Sequence, residues 1–332
     1  MDPLDVGILR ELSRDQIVWF GRLDPRLSAS EIARRLHVDR ATVGARLRAW
    51  EKQSFLRGHE VVPSPLVFGA KIAGGNLRVE DLRKKPRILE DLSLVPGLIS
   101  AVDHNGDWVA LLYAFGRSDE LDRCRRLIER FSGVGEVTPC VPFVAPAPTM
   151  APTRLDYRIL SDLKSAPRRT LQEIARSVRV SPKSLVRRLE LLVRGRAVWY
   201  LPILDFTRYS KAVVTRFVVV LREGSDPGHV ADWIRRRVPG MTYLVDSSAL
   251  QGREGALPPM LDFGAHLDST GGAEDVQREL QGLEPVEDVE VLFPRRIYLY
   301  RTWFDDRIQA ALDRTQGGRR PRGNLKEPAG TV

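Results

Sequence analysis

The chain is poor in the residues that most often carry chemistry. Of its 332 residues, 2 are cysteine, 5 histidine and 4 methionine. Two cysteines, Cys124 and Cys140, supply neither a disulfide framework nor a metal cluster, so both read as small buried groups in a reducing compartment. The histidines, His37, His59, His104, His229 and His266, are scattered, and none stands at ligand spacing from another His or a Cys. The sequence lacks a nucleophile elbow, a phosphate-cradling glycine loop and a spaced carboxylate pair. It therefore reads as carrying no catalytic residue, metal or cofactor, and as a non-enzyme. No apolar run reaches membrane length. The N-terminal "MDPLDVGILREL" lacks the basic start of a signal peptide, so a cytoplasmic protein is expected.

What is abundant is arginine. The formal net charge is +9, with 44 Arg against 8 Lys. A guanidinium suits phosphate forks, and an anionic partner follows from the balance. The charge is unevenly placed. Residues 1–63 carry net +2, 64–152 net 0, 153–201 net +8, 202–312 net −4 and 313–332 net +3.

The +8 segment lies on one copy of a repeat. "LSASEIARRLHVDRATVGARLRAW" at 27–50 aligns without a gap on "TLQEIARSVRVSPKSLVRRLELL" at 170–192, shifted by 142 positions. In the first copy Ser28 and Glu31 have capping-box spacing, and Asp39 is a good N-cap for the next helix. Val43, Leu47 and Trp50 form one apolar stripe. In the second copy Thr170 and Glu173 repeat the box. Ser181 is an N-cap followed by Pro182, and Leu185, Leu189 and Leu192 form the stripe. Preceding helices start at "LDVGILREL" and "LDYRIL". "RGHEVVP" reads as a hairpin wing and "AVWYLPI" as a wing strand. Three helices, a tight turn and a wing describe a winged helix-turn-helix, whose third helix enters a major groove. The outward residues, Arg40, Thr42 and Arg46 in the first copy and Lys183, Ser184, Arg187 and Arg188 in the second, are the candidate contacts to double-stranded DNA.

Each helical unit is followed by a segment of β-α-β-β-α-β order, a ferredoxin-like arrangement. The expected fold is α+β: winged helix-turn-helix 1 at 1–63, ferredoxin-like unit 1 at 64–145, a linker at 146–152, winged helix-turn-helix 2 at 153–207, ferredoxin-like unit 2 at 208–312 and a disordered tail at 313–332. The proline-rich "APAPTMAPT" reads as a hinge between the halves. Trp19 and Phe20, in a nine-residue stretch extra to the first copy, read as additional core.

This domain order resembles the Lrp/AsnC family of prokaryotic transcription regulators, here in tandem. The matching stretches are "DPRLSASEIA" at 24–33, "VDRATVGARLRAWE" at 38–51 and "VPGLISAVDHNGDWVALLYAFG" at 95–116. The family usually has a glycine shortly after the third helix, where this chain has Ser54 and Arg196. The second half also replaces the tight turn with the longer "SSALQGREGALPP". The resemblance implies DNA binding, an amino-acid effector and a homo-oligomer built from an internal pseudo-dimer. It places the effector near the turn at 104–108. There Gly106 suits a close backbone approach, and Asp107 can accept hydrogen bonds from an ammonium group. A hairpin turn with a solvated Asp107 is the plainer reading. Two alternatives stand beside the regulator: an enzyme resembling siroheme decarboxylases, and a DNA-packaging protein without sequence preference.

Overall fold

The computed structural model describes residues 2–13, 29–138, 140–143, 145–165, 170–208, 213–238, 241–246 and 259–314. Trp19, Phe20, the Ser28 half of the first capping box, most of the 247–259 loop and the tail beyond Arg314 lie outside these residues. The architecture is α+β, two helix-turn-helix heads each followed by a ferredoxin-like unit. Head one has α1 (Pro3–Ser13), α2 (Ala29–Leu36), α3 (Arg40–Lys52) and β1 (Leu56–Pro63). Unit one follows with β2 (Lys71–Val79), α4 (Lys85–Asp91), β3 (Leu98–His104), β4 (Trp108–Phe115), α5 (Ser118–Ile128), β5 (Val134–Val137) and β6 (Val141–Phe143). Head two has α6 (Arg154–Ser165), α7 (Leu171–Ser177), α8 (Pro182–Arg194) and β7 (Val198–Leu204). Unit two has β8 (Val213–Leu221), α9 (Pro227–Arg237), β9 (Met241–Asp246), β10 (Met260–Leu267), α10 (Thr270–Gln281) and β11 (Val286–Leu292). Then come β12 (Pro294–Leu299) and α11 (Thr302–Arg314).

The two sheets share one strand order, β5-β2-β4-β3 and β11-β8-β10-β9, antiparallel throughout. Alternation along β4 explains how the sheet is covered. Val109, Leu111, Tyr113 and Phe115 face the core with Leu121, Cys124 and Ile128 of α5. Leu112 and Ala114 face the other way, toward Ile72, Ile99 and Phe304. Successive strand side chains point to opposite faces, so a strand buried on both sides loses its polar alternation. In unit two Phe217 stacks on Phe263 across β8 and β10, their ring centroids 4.6 Å apart.

Three crossings join the halves. First, β1 is not a hairpin wing of its own. It pairs antiparallel with β7 of the other head, Glu60 opposite Leu201 and Pro63 opposite Val198. A lone strand leaves its backbone ladder groups without partners, and here the second copy pairs those along one edge. Second, β12 leaves unit two and joins the edge of β3. The Tyr300 hydroxyl just beyond donates to Leu89 O at 2.6 Å. Third, α11, which had no counterpart in the sequence reading, packs Ile308 and Ala311 against Tyr157 and Leu160 of α6. The proline-rich stretch is anchored as well. Thr149 N–H donates to Gly195 O at 2.8 Å. A Cβ on Gly195 would overlap the Met150 side chain, so the glycine allows that close approach.

Candidate nucleic-acid interface

The heads are built on the same local chemistry. α7 starts with a complete capping box. Thr170 Oγ1 accepts from Glu173 N–H at 3.3 Å, and Glu173 Oε2 accepts from Thr170 N–H at 2.7 Å. In α2, Glu31 accepts from Arg34 and Arg35, which hold its carboxyl down at about 2. The turn that gives the motif its name is a left-handed residue in both heads, His37 at φ 55° and Arg179 at φ 60°. Behind it, Val38 N–H donates to Ala33 O and Val180 N–H to Ala175 O, both at 2.9 Å. This six-to-one closure stops the second helix and redirects the chain into the third. The third helices are capped in turn. Asp39 Oδ1 accepts from Ala41 N–H at 2.6 Å, and Ser181 Oγ accepts from Ser184 N–H at 3.1 Å.

The exits of α3 and α8 repeat the device. Ser54 has φ 59° and Arg196 φ 55°, with Phe55 N–H on Trp50 O at 3.0 Å and Ala197 N–H on Leu192 O at 2.9 Å. These are the two places where the resembling family has glycine. The backbone keeps the left-handed conformation although a side chain is present.

Packing sets which residues face outward. Val43 and Trp50 are buried in head one, Leu185 and Leu192 in head two. Arg40 and Thr42 on α3 are therefore exposed, as are Lys183, Ser184 and Arg187 on α8. Among the described residues, Arg40, Lys183 and Arg187 form no ion pair. Ser184 shares its hydroxyl with the cap, 2.9 Å from Ser181 Oγ. At the positions of Lys183 and Arg187, head one carries the exposed Ala41 and Ala45. This difference places the charge asymmetry on the outward face.

Arg46 and Arg188 are occupied differently. Arg188 Nε donates to Asp156 Oδ1 at 2.8 Å and Nη2 to the Thr153 hydroxyl at 3.1 Å. Arg46 pairs with Asp2 and lies 3.6 Å from Asp5 Oδ2. Asp5 and Asp156 are fully buried. Burial alone would push Asp156 up, but Arg188 and the Thr153 N–H and hydroxyl outweigh it and hold its carboxyl below the usual range. The two arginines clamp the third helix to the first. Each guanidinium is turned onto carboxylates of the first helix or its cap and stays about a quarter to a third exposed, so both arginines hold the head together.

The turn at 104–108 is held from both sides. Gly106 is left-handed, φ 65°. The Lys85 ammonium donates to His104 O at 2.7 Å and Gly106 O at 2.8 Å, and lies 2.7 Å from Asp103 Oδ1. Burial pulls the Lys85 pKa below its ordinary value, against the pull of Asp103. Asp107 accepts from Arg78 Nε at 3.0 Å. Asn105 exchanges two bonds with Phe293 of unit two, at 2.9 and 2.7 Å. The sequence could not show this role, because Lys85 and Phe293 are remote from the turn.

Two helix-turn-helix heads, each followed by a ferredoxin-like unit, make this a tandem α+β architecture. Within it, residues 1–51 match the AsnC-type helix-turn-helix domain, so the first head is of the type that the Lrp/AsnC resemblance implied. No curated protein matches the chain in sequence. Among solved structures, the siroheme decarboxylase NirDL, in co-complex with an iron-uroporphyrin III analogue, is 16% identical. It covers 92% of this chain and 99% of its own, with a TM-score of 0.49. The E. coli AsnC structure is 16% identical over 43% of this chain and 92% of its own, TM-score 0.31. A transcriptional regulator from Neisseria meningitidis, in complex with L-Met, is 22% identical over 43% and 88%, TM-score 0.30. The first of these corrects the expectation that the chain is not an enzyme, since an enzyme aligns along nearly its whole length. Scarcity of histidine and cysteine was the ground for that expectation, and it does not decide the matter. No helix among the described residues is long and apolar enough to cross a membrane.

Proposed function

We propose that the protein is a sequence-specific DNA-binding transcriptional regulator of the Lrp/AsnC type, in which one chain supplies both heads of a dimer-like unit. The observation that carries this reading is the outward face of α8. Lys183 and Arg187 stand one turn apart, exposed and without an ion pair among the described residues, on a capped helix that follows a helix-turn-helix turn. Such a helix presents its first turns to a major groove, where a cation neutralises phosphate or forks to guanine. Head one presents Arg40 and Thr42 beside Ala41 and Ala45, whose methyl groups suit the thymine methyl. The two heads thus read different half-sites, and head two supplies most of the sequence-independent affinity. The ribbon of β1 and β7 ties the heads together within one chain, so the site need not be a palindrome.

The test is selection of bound fragments from the organism's own genomic DNA, followed by shift assays across salt. A preferred site is expected, with affinity falling linearly in log salt at about 0.9 per phosphate contacted. The Lys183→Ala/Arg187→Ala double variant should flatten that slope. If no fragment is enriched, or the double variant binds like the parent, the reading fails.

A further inference from the structure

A cavity of about 360 Å³ lies between α5, the end of β4 and α11. Phe115, Leu121 and Trp303 supply apolar walls, and Glu120, Arg123 and Arg307 supply charge. Its volume suits a small organic molecule. The charges are not equivalent. Arg307 sits 5.4 Å over the Trp303 ring and has no carboxylate partner among the described residues. Arg123 pairs at 3.3 Å with Asp119. Glu120 spends one oxygen on Gly116 N–H at 2.9 Å. Cys124, also on the wall, adds no negative charge, because burial pushes its thiol up and its S–H donates to Pro96 O at 2.9 Å. With Arg123 held by Asp119 and one Glu120 oxygen tethered, Arg307 is the lining cation without a carboxylate partner among the described residues, and it favours a ligand bearing a single negative charge on an apolar body.

The cavity's outer wall reaches head two. Trp303 meets the Phe68 ring edge-on at 5.7 Å, and Phe68 stacks on Tyr157 of α6 at 5.9 Å. The residue before Tyr157 is Asp156, the buried partner of Arg188 on α8. α11 also covers α6 through Ile308 and Ala311. Packed rings, then the backbone step from Tyr157 to Asp156, link the cavity to α8.

We propose that this cavity binds a small organic carboxylate with a planar or branched apolar body, and that its occupancy changes the DNA affinity of head two through α11. The second clause rests on the DNA-binding reading above, and the first does not. Calorimetry on the full chain uses phenylacetate, indole-3-acetate and isovalerate, with benzylamine as a cation of similar body. At least one carboxylate should bind saturably and benzylamine should not. Arg307→Gln should weaken binding at least tenfold, and Glu120→Gln should tighten it, because a repelling charge is removed while the bond to Gly116 N–H is kept. These opposite signs separate a charge-reading site from general loosening of the fold. If no carboxylate binds, if benzylamine binds equally, or if Arg307→Gln is silent, the site is overturned. A saturating ligand should change affinity for the selected DNA at least fivefold, within the usual range of coupling between sites. Ligand binding with unchanged DNA affinity overturns the coupling and leaves the site standing. Absence of any DNA binding overturns the coupling together with the regulator reading, and the calorimetry still decides the site.

Discussion

Arg188 of α8 closes on Asp156 of α6, its Nε 2.8 Å from Oδ1, with the carboxylate fully buried and the guanidinium about a quarter exposed. Arg46 does the same for α3 through Asp2 and Asp5. In each head the clamp fixes the angle at which the third helix leaves the first. Truncating the arginine strands a buried charge, which typically costs about 3–5 kcal/mol. Arg188→Ala should fall near the lower end, because solvent reaches the guanidinium. Chemical denaturation read by circular dichroism checks this. An Arg188→Ala protein as stable as the parent, yet selectively weak on DNA, would restore the arginine to base contact.

The same pair sets an acid limit. The folded state holds Asp156 below its ordinary pKa. Its contribution is complete above the unfolded value of about 3.9 and is lost as pH falls through the lower folded value. Asp156→Asn should therefore be less stable than the parent near neutrality, and the gap should narrow below about pH 4. A gap that stays constant from pH 7 to pH 3 would contradict the linkage.

Ser54 and Arg196 carry side chains in the left-handed region. That conformation costs an L-residue about 1–2 kcal/mol, which glycine avoids at some expense in unfolded-state entropy. Ser54→Gly and Arg196→Gly should each raise stability by about 0.5–1 kcal/mol. Thermal unfolding of the two single variants checks this, and a lowered melting temperature in both would count against it.

Lys85 satisfies two turn carbonyls and the Asp103 carboxylate from a buried position. Lys85→Met keeps most of the apolar stem and removes every donor. A loss of about 3 kcal/mol is expected, since buried acceptors are then unpaired. Hydrogen exchange should also quicken at Asn105 and Phe293, which join the turn to unit two. Protection unchanged at both amides would show that the turn holds without the lysine.

On random DNA, Arg187→Ala should weaken binding more than Arg40→Ala, because head two carries the excess charge. Each variant should lower the salt slope by about 1 if its cation meets one phosphate. Equal losses on random and selected DNA for both variants would remove the proposed division between heads.

Local order in the sequence determined most of the architecture. Capping residues such as Thr170, Glu173, Asp39 and Ser181 act within four positions of themselves, and the spacing of Val43 and Trp50, or Leu185 and Leu192, reports a helix face directly. The order of strands and helices in each unit follows from the same short-range signals, as does the duplication. Side-chain direction is different, because it depends on what lies across the interface. Arg46 and Arg188 looked outward by periodicity, but a buried aspartate from another helix turns each inward. β1 looked like half of its own wing until β7, about 140 positions away, took its free edge. Asp107 looked open until Arg78 met it. The cavity beside Trp303 was invisible in the sequence, since its walls come from segments nearly two hundred residues apart. Hydrogen-bond caps and apolar stripes are short-range and can be read from sequence. Ion pairs between elements, strand edges and cavities are settled only by which distant segments the fold brings together.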